Sequence, residues 1–469
     1  MLEIILDIAT EIDRILWGPW TLVFIALVAL FLTGKSGFFQ LRKLGFIFQN
    51  TFGEISKQKA TVAKGKMTPF QATATALAST VGMGNIAGVA TALSIGGPGA
   101  IFWMWLLALL GMLTKTTEIT LAVHYRDIDE QGNVRGGPMY YIKKGLGWKF
   151  LAKLFCIGVL INSVLTSSIL QTHTVGRAFL SSYNISPYIV IGAMIAIATF
   201  VIIGGIKRIG QFCEKLVPLM ALLYIVGGII IFFANYTKIP EVFSMIFKYA
   251  FAFVPASGGI AGFAVKTAIK EGMAKGMLSS EAGLGTAPMV HATADTPHPF
   301  QQGIWGAFEV FIDTMVICTI TAFAVLSTGV LSSEKSGIEL VIVAFSSVFS
   351  SGFAGTFISI SILTFCLSTQ IGFFIYFETA FVNVFNKKYV RYFRWLYLLP
   401  GILFAGVANV ERLWVFANIS VGVCALPNLV ALLALNGVFF KLMKDYMSGT
   451  NKYTTEITDS TQQYVKRVA

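Results

Sequence analysis

Segment 78–90 of the chain, which reads ASTVGMGNIAGVA, carries glycines and an asparagine inside a long run of apolar residues. A glycine costs about 1 kcal/mol in the interior of a helix, and backbone groups left without partners in lipid cost more. A helix therefore stays open at such a segment only where protein or ligand atoms satisfy the freed backbone groups. The segment predicts a membrane helix broken near its middle, which is a candidate binding site for an ion or a polar solute.

A second segment of similar composition, residues 277–288, reads MLSSEAGLGTAP and ends in a proline, which helix interiors avoid. It follows residues 258–275, where Lys266, Lys270 and Lys275 recur at near-helical spacing. Residues 258–275 could form an amphipathic cytoplasmic helix or the outer half of a second broken helix, and we favour the second. Two interrupted segments, each opening a block of five helices, are the pattern of an inverted repeat. In transporters with such repeats, half-helix N-termini face substrate carboxylates, whereas unwound carbonyls and half-helix C-termini coordinate sodium.

Charged side chains within the predicted helices offer another kind of chemistry. Glu309 and Asp313 share one helical face at i,i+4 spacing, which could form a relay for cations. They also lie within a few turns of the predicted cytoplasmic end, where they could simply pair with nearby lysines, and we favour that structural role. Lys115 and Glu118, at i,i+3 spacing, are expected to pair with each other near the inner surface.

His291, Asp295 and His298 have a loose metal-ligand spacing. A polar group of this kind before Pro299 is more typical of a helix end, so we expect no transition-metal site. The glycine pair of segment 78–90 resembles part of a dinucleotide-binding loop, but no strand precedes it. The chain also contains no Gly-x-x-x-x-Gly-Lys-Ser/Thr motif, so neither a nucleotide nor any other cofactor is expected.

The composition is that of a membrane protein. Of 469 residues, 55% are apolar and only 12% are charged, and the mean hydropathy of +0.74 is too high for an ordinary soluble protein. The 5 cysteines are widely spaced without a Cys-x-x-Cys pair and are most simply buried small hydrophobic residues. The first apolar run follows an acidic N-terminus and is too long for the core of a signal peptide, so we interpret it as a retained helix.

Eleven apolar runs are long enough to cross a bilayer, which takes about 20 residues each. They lie near residues 16–34, 69–95, 100–124, 151–180, 187–206, 214–234, 260–297, 303–330, 353–385, 393–411 and 413–440. We interpret the chain as a single transmembrane domain. Its parts are an extra peripheral helix at 16–34, a first repeat over 69–234, a second repeat over 260–440 and a cytoplasmic tail over 441–469.

The basic residues indicate the orientation of the chain. Segment 35–66 holds seven lysines and arginines against a lone Glu54, so the positive-inside rule makes it cytoplasmic and places the N-terminus outside. The alternation of spans then puts the remaining basic loops and the C-terminus inside, including Arg126, Arg135, Lys143, Lys144, Lys149, Lys207, Arg208, Lys387, Lys388, Arg391, Arg394, Lys441 and Lys444. The net charge of +12 is therefore a signal of topology and not of nucleic-acid binding.

Several motifs of the chain resemble those of the alanine or glycine:cation symporter family. The most specific is GGPGAIFWMWLLALLGM at 96–112, which follows TVGMGNIAG at 80–88 and precedes GGPMYYI at 136–142. Further matches are SEAGLG at 280–285, EVFIDT at 309–314 and PNLVAL at 427–432, so the resemblance covers most of the chain. It implies an all-helical, leucine-transporter-like fold with a 5+5 inverted repeat. It also implies sodium-coupled uptake of a small neutral amino acid.

The resemblance also implies a substrate site. Backbone groups of Gly82, Met83, Gly84 and Asn85 are expected to meet the head group of the amino acid, and Asn85 could also contact sodium. Gln171 resembles a family glutamine in the third core helix that reaches the substrate, although it could instead make an interhelical hydrogen bond.

The sodium site implied by the resemblance combines two short segments. Related folds place the hydroxyls of Ser368 and Thr369 around a sodium ion, together with the carbonyls of Ala78, Val81 and Phe365. Hydroxyls in membrane helices most often bond back to their own i−4 carbonyl, so that structural role is the alternative.

Three positions depart from the family pattern. Leu278 stands where the family tends to have Phe, and Phe373 stands where it tends to have Trp. Both changes shrink residues expected to wall the side-chain pocket, which favours a substrate larger than alanine. Asn418 stands where an Asp is common, which puts any ion role at that position in doubt.

The function that these observations favour is a symporter in the plasma membrane, which is not an enzyme. It would import a small neutral amino acid of the alanine and glycine class with sodium as the coupling ion. The alternative is a sodium- or proton-coupled importer of a larger neutral amino acid such as glutamine. An ion channel is the alternative of a different class, but it would need a continuous polar pore, and the intramembrane charges are scattered.

Overall fold

The computed structural model describes residues 2–55, 66–129, 132–251, 265–333, 335–385, 387–404, 411–450 and 452–453. Nearly all regular structure in these ranges is helical, as the composition predicts. The sheet described there is one short antiparallel hairpin, in which β1 (Asp127–Ile128) pairs with β2 (Val134–Arg135).

The N-terminal region lies outside the two predicted repeats. It contains α1 (Leu2–Leu16), α2 (Pro19–Lys35) and the short helices α3 (Phe39–Arg42), α4 (Leu44–Gln49) and α5 (Phe52–Ile55). The predicted span 16–34 corresponds to α2, which α1 extends towards the N-terminus. Part of the basic segment 35–66 is therefore helical, and its lysines at 57, 59 and 64 lie outside the described residues.

The first predicted break is present in the structure. Helix α6 (Pro69–Thr80) begins at a capping box, in which Thr68 Oγ1 accepts from Gln71 N and Gln71 Oε1 accepts from Thr68 N. The chain then resumes as a π-helical turn (Gly84–Gly88) that continues into α7 (Val89–Gly96). The two halves are bent by 49° relative to each other, as the glycine-rich sequence predicts.

The chain between the two breaks contains the longer helices of the first half. They are α8 (Gly99–His124), α9 (Pro138–Leu146), α10 (Lys149–Asn162), α11 (Gln171–Tyr183), α12 (Pro187–Ile203), α13 (Gly205–Ala234) and α14 (Ile239–Phe251). A π-helical stretch (Ser163–Leu170) joins α10 to α11, so that they form one apolar rod from Lys149 to Tyr183.

The second predicted break is also present, and its geometry differs from that of the first. Helix α15 (Val265–Ser280) stops at a non-helical turn, after which only the four-residue helix α16 (Pro288–His291) follows. Glu281, Gly283 and Gly285 in the turn have φ values of +53°, +92° and +83°, a left-handed conformation that glycine adopts readily and other residues do not. Part of the predicted span 260–297, residues 260–264, lies outside the described residues.

The remaining helices complete the second half of the molecule. They are α17 (Pro299–Val310), α18 (Thr319–Thr328), α19 (Gly337–Ser346), α20 (Ser351–Val384), α21 (Val390–Leu403) and α22 (Glu411–Met447). A π-helical stretch (Phe311–Cys318) makes α17 and α18 one rod from Pro299 to Thr328. The end of the predicted span 393–411 falls on residues 405–410, which are outside the described part of the chain.

The described residues contain 7 helices that are long and apolar enough to cross a membrane, or 8 if the bent pair at the first break is one span. Three predicted spans fall outside that count: α12 and α21 are shorter, and α15 is interrupted by charge and by the break. Several large apolar side chains on α12 and α13 point outward, such as Phe200 and Phe233, which are 64% and 66% exposed. Such a surface is suited to lipid and not to water.

The core brings the two breaks into one interior. Helix α8 packs against both α15 and α17, while α6 packs against α13 and α20. Helix α11, which begins at Gln171, packs against α20. The elements that carry the predicted site residues, which are α6, the π-helical turn after it, α11, α15 and α20, therefore surround a common centre. All 5 cysteines are buried and free, as expected for small hydrophobic residues.

Candidate functional site

The structure brings together all five residues of the predicted sodium site. Ser368 Oγ lies 2.8 Å from Phe365 O and 3.3 Å from Ala78 O. Thr369 Oγ1 lies 2.9 Å from Phe365 O and 3.2 Å from Val81 O. The carbonyls of Ala78 and Val81 are available because α6 ends there and the helix does not continue. Helix α20, which carries the other three residues, crosses directly opposite.

The chemistry of this cluster suits a hard monovalent cation. Its five oxygens are three carbonyl and two hydroxyl oxygens, and every residue that supplies one is at most 1% exposed. Unwound carbonyls of a broken helix are the type of ligand that coordinates sodium in transporters. Both hydroxyls also donate to Phe365 O, one turn earlier on their own helix, so the alternative of local back-bonding holds at the same time.

Gly82 lies where the two predicted sites meet. A Cβ atom placed on Gly82 would come within 2.5 Å of Thr369 Oγ1 and 2.8 Å of Gln171 Nε2. At Gly84 the nearest atom would be Ser279 Cα at 3.4 Å, which is ordinary contact. The sequence singles out both glycines, but the requirement for close approach falls on Gly82.

A small cavity opens beside the first break and reaches the second. Five of the seven predicted substrate residues line it: Met83, Gly84, Gln171, Leu278 and Phe373. The positions at which this chain is less bulky than its family pattern, 278 and 373, are therefore both on the cavity wall. Gln171 Oε1 accepts a hydrogen bond from Met83 N at 3.0 Å, so its interhelical bond and its place on the cavity wall coexist.

The other two predicted substrate residues lie just behind the cavity wall. Asn85 Oδ1 accepts from Gly82 N at 2.9 Å, while Asn85 Nδ2 donates to Asp313 Oδ1 at 2.6 Å. Asn85 is 0% exposed. Its position therefore supports the shape of the first break, and its amide is already shared between the backbone of Gly82 and the carboxylate of Asp313.

The cavity also has polar residues that the sequence reasoning does not single out as substrate contacts. These are Ser79, Thr80, Asn162, Thr166 and Glu281. Thr166 Oγ1 donates to Asn162 Oδ1 at 2.7 Å. A signal for Asn162 and Thr166 was present, because polar residues one turn apart in an apolar helix commonly face the interior of a bundle. Glu281 was visible as the charge within the second broken segment.

Asp313 connects the two breaks. Its carboxylate accepts from Asn85 Nδ2 of the first break, and from Ser279 Oγ at 2.8 Å near the end of α15. Thr314 Oγ1 also donates to it at 2.8 Å. The interpretation that Asp313 pairs with a nearby lysine is wrong, because these three hydrogen-bond donors are uncharged and Asp313 is fully buried.

Glu309 does pair with a lysine, but one from another helix. Lys115 Nζ lies 2.8 Å from Glu309 Oε1, and both side chains are completely buried. Lys115 also donates to Ser280 O at 2.7 Å, so its charge meets the negative C-terminal end of α15. His291 Nε2 lies 3.0 Å from Glu309 Oε2 and places a second partner on that carboxylate.

The expected pair between Lys115 and Glu118 is wrong. Glu118 Oε1 instead accepts from Asn428 Nδ2, and Asn428 also binds Tyr141 through its Oδ1 and Gly283 O through its Nδ2. The i,i+3 spacing allows a pair on the surface of an isolated helix. Here α8 is buried, so tertiary partners from α15, α17 and α22 replace the local one.

His291, Asp295 and His298 do not converge. His291 binds Glu309 and Gln302, whereas Asp295 pairs with Lys66 at 2.8 Å. His298 accepts from Phe300 N through its Nδ1 and is the N-cap of α17, which confirms the interpretation as a helix end. Among the described residues, no group of three or more His, Cys, Asp and Glu is arranged to hold a metal ion.

Asn418 lies at the N-terminal helix and not at either break. Its backbone carbonyl accepts from Trp17 Nε1 at 3.1 Å. Nearby, Lys275 Nζ sits 3.9 Å above the ring of Trp414. Contacts in this corner join α22 to α1 and to α15, the first half of the second broken helix.

Comparison with known proteins gives a consistent result over the whole chain. The family model for the sodium:alanine symporter family matches residues 2–460. The sodium/alanine symporter AgcS of Methanococcus maripaludis is 36% identical over 441 residues, which cover 92% of this chain and 95% of that protein. The probable sodium/glutamine symporter GlnT of Bacillus subtilis is also 36% identical, over 95% of this chain and 91% of that one.

Two further proteins are similar to the chain over most of its length. The amino-acid carrier protein AlsT of Bacillus subtilis is 34% identical and covers 91% of this chain and 90% of its own. A solved structure of the Eremococcus coleocola manganese transporter aligns with a TM-score of 0.47 at 10% identity, over 82% of this chain and 73% of that one.

Proposed function

Because the chain belongs to the sodium:alanine symporter family, we propose that it imports a small neutral amino acid of the alanine and glycine class together with sodium. The chain is an integral protein of the cell membrane and a transport protein, not an enzyme. Family membership and the names of its relatives support amino-acid transport. The identity of the amino acid and of the coupling ion is our proposal.

The single observation that carries the proposal is the convergence of two sites on the first break. Thr369 of the predicted ion site and Gln171 of the cavity wall both adjoin Gly82. A Cβ atom on Gly82 would come within 2.5 Å of Thr369 Oγ1 and 2.8 Å of Gln171 Nε2. An ion and an amino acid bound at these two sites would therefore share the backbone between residues 81 and 83.

Shared backbone gives a physical route to coupling. A cation at Val81 O would fix the last carbonyl of α6, and the next two residues present Gly82 N and Met83 N towards Asn85 and Gln171. Ordering that backbone for the ion lowers the conformational entropy still to be lost when the amino acid binds, so each ligand favours the other. Coupling of this kind is reciprocal.

We propose a leucine-transporter-like arrangement as the framework. It comprises 11 transmembrane helices with a 5+5 inverted repeat over 69–234 and 260–440, an extra helix at 16–34, the N-terminus outside and the C-terminus inside. The presence of a break at the start of each repeat supports it. The basic tail after 440 supports the inside position of the C-terminus.

The free energy of a sodium gradient is large enough to drive accumulation of an amino acid. One sodium ion crossing about 100 mV contributes roughly 2.3 kcal/mol, and a tenfold concentration gradient adds about 1.4 kcal/mol. Together these sustain accumulation of a neutral zwitterion of order several hundredfold. No nucleotide is then needed as an energy source.

A second candidate substrate is a larger neutral amino acid such as glutamine. Leu278 and Phe373 line the cavity, and both are smaller than the residues the family pattern favours there. The name of the relative GlnT points the same way. The alternative of an ion channel would need a continuous polar path, whereas the cavity is bounded by Leu278, Leu284 and Phe373.

The experiment is uptake of labelled alanine, glycine and glutamine into proteoliposomes, with sodium and pH gradients imposed separately. We expect an inward sodium gradient to drive accumulation of alanine above equilibrium, and a pH gradient alone to drive little. Accumulation with the pH gradient alone would assign the coupling to protons. Equilibration without accumulation under either gradient would contradict symport and favour a channel.

A further inference from the structure

Among the described residues that line the cavity between the two breaks, Glu281 is the one that is charged. It lies in the turn directly after α15, and its side chain is only 2% exposed. The other polar lining residues are hydroxyls and amides, which carry no net charge. An ionisable residue at this depth in a membrane protein is functional by default, and the physical question is which group balances its charge.

Among the residues that the structure describes, no lysine, arginine or histidine forms a direct ion pair with Glu281. Its hydrogen-bond partner is Thr286, whose Oγ1 donates to Glu281 Oε2 at 2.8 Å. Lys115 attracts Glu281 electrostatically, but its ammonium group is in direct contact with Glu309 Oε1 and Ser280 O, at 2.8 Å and 2.7 Å. A carboxylate in the dry interior of a bilayer needs a positive partner or a proton, because nothing else offsets the loss of its hydration.

The backbone at Glu281 adds an independent indication. Its φ of +53° is in the left-handed region, which is unfavourable for a residue with a Cβ atom. Glycine occupies the comparable positions 283 and 285 in the same turn. A glutamate held in a conformation suited to glycine is typical of a position whose side chain is needed.

We propose that Glu281 binds the ammonium group of the transported amino acid. The cavity would then present opposite charges to the two ends of a zwitterion. At one end, Gly84 begins the π-helical turn whose N–H groups carry the positive end of a helix dipole, which favours a carboxylate. At the other end is the carboxylate of Glu281, which favours a cation.

This inference rests on the proposed function, because it assigns one residue to a substrate that the proposal names only as a class. It also narrows the class of substrates. A site with one carboxylate and one helix N-terminus selects for molecules that carry both an ammonium and a carboxylate group. It discriminates against carboxylates that lack the amine, such as lactate and propionate, since their binding would leave Glu281 without a cation.

The test compares L-alanine with L-lactate, in which a hydroxyl group replaces the ammonium group. Both are titrated by calorimetry into the purified full chain at saturating sodium, for the wild type and Glu281→Gln. We expect Glu281→Gln to weaken alanine binding roughly 10- to 100-fold, because a charge-assisted hydrogen bond is lost. Lactate binding should change by less than about threefold, so the preference for alanine collapses.

Three controls keep the result interpretable. Glu118→Gln neutralises another fully buried carboxylate that does not line the cavity, and it should leave the alanine-to-lactate ratio unchanged. Glu281→Asp keeps the charge and should retain more of that ratio than Glu281→Gln. Thermal stabilisation by sodium alone should be the same in Glu281→Gln and wild type, which shows that the variant is folded and that its sodium site is intact.

The possible failures are distinct. If the wild type binds neither alanine nor sodium, the proposed function is wrong. If the wild type binds both but Glu281→Gln keeps the full preference for alanine, only the role of Glu281 is wrong. An equal loss of alanine and lactate binding in Glu281→Gln would also overturn the role of Glu281, since replacing a purely structural residue weakens both ligands alike. Loss of pH dependence with unchanged alanine affinity would assign a proton to Glu281 in place of the ammonium group.

Discussion

The two broken helices meet at one centre, but the side chains that bind their freed backbone groups differ in charge. At the first break, uncharged groups satisfy the backbone: Asn85 accepts from Gly82 N, Gln171 accepts from Met83 N and Thr369 donates to Val81 O. At the second break a charged group takes part: Lys115, which is itself fixed by Glu309, donates to Ser280 O, while the neutral Asn428 donates to Gly283 O. The first break is thus suited to receiving an ion among neutral oxygens, whereas the second already contains fixed ions.

This difference in charge indicates that the two breaks have different mobility. Neutral partners can turn towards a ligand at small cost, because no buried charge is left unpaired when they move. A buried ion pair resists such movement, since separating it strands two charges in a medium of low dielectric. We expect the first break to change shape during transport and the second to be the firmer wall, with Asp313 holding the two together through Asn85 and Ser279.

The largest expected effect comes from removing the charge that holds the second break. Lys115→Met leaves the carboxylate of Glu309 buried without its lysine, and we expect the free energy of unfolding to fall by about 3–5 kcal/mol. Lys66→Met is the matched control, because the pair of Lys66 with Asp295 is partly exposed and should be worth less than about 1 kcal/mol. Thermal unfolding in detergent measures both. Equal losses would contradict the view that the second break depends on a buried ion pair.

The next effect tests whether the first break receives the ion. Replacing Ser368 and Thr369 together by Ala should raise the sodium concentration for half-maximal alanine uptake roughly 100-fold, because two oxygen ligands of a charge are lost. Thr364→Ala is the control on the same helix, since the hydroxyl of Thr364 bonds only to nearby carbonyls of α20. Unchanged sodium dependence in the double variant would remove both residues from the ion site.

Pocket size offers a third test, on the wall that both breaks share. Leu278→Phe with Phe373→Trp should weaken the larger accepted amino acids relative to alanine and glycine. Each excluded methylene is expected to cost about 1–3 kcal/mol, or roughly 10- to 200-fold in discrimination. Competition of labelled alanine uptake by a series of neutral amino acids measures the ranking in both forms. An identical ranking would mean that these side chains do not set substrate size.

The smallest effect distinguishes two neighbouring glycines of the first break. Gly82→Ala places a methyl group against Thr369 Oγ1 and Gln171 Nε2, whereas Gly84→Ala meets only ordinary contact at Ser279. Overpacking at Gly82 should cost about 1–2 kcal/mol, or roughly tenfold in apparent alanine affinity at fixed sodium. Gly84→Ala should stay within about threefold of the wild type. The reverse order would place the close approach at Gly84.

Much of the fold could be predicted because its signals are local. The glycines of segment 78–90 predict a break, and the structure has it at the end of α6 with a bend of 49°. The proline at 288 and the glycines before it predict the second break, and the structure ends α15 at Ser280. Hydropathy and backbone preference act over a few residues, so they can be recognised without knowing which helices are neighbours.

The partners of the buried charges were not predictable in the same way. The sequence places Glu118 three residues from Lys115, yet Lys115 binds Glu309 and Glu118 binds Asn428. It places Glu309 beside Asp313, yet one has a charged partner and the other has neutral donors. The helical spacing was correct in both cases. It specifies which residues share a face, but not which helix that face meets.

The sequence by itself determined that the chain is a helical membrane protein with two interrupted helices, and it carried the motifs of its family. Only the tertiary structure decided that Gly82 is the crowded glycine, that Asp313 joins the two breaks and that Glu281 reaches the cavity. The reason is the distance along the chain over which the relevant interactions act. Breaks and spans follow from the conformational and solvation free energies of neighbouring residues, whereas the surroundings of a side chain follow from the packing of α6, α8, α15, α17 and α20 against one another.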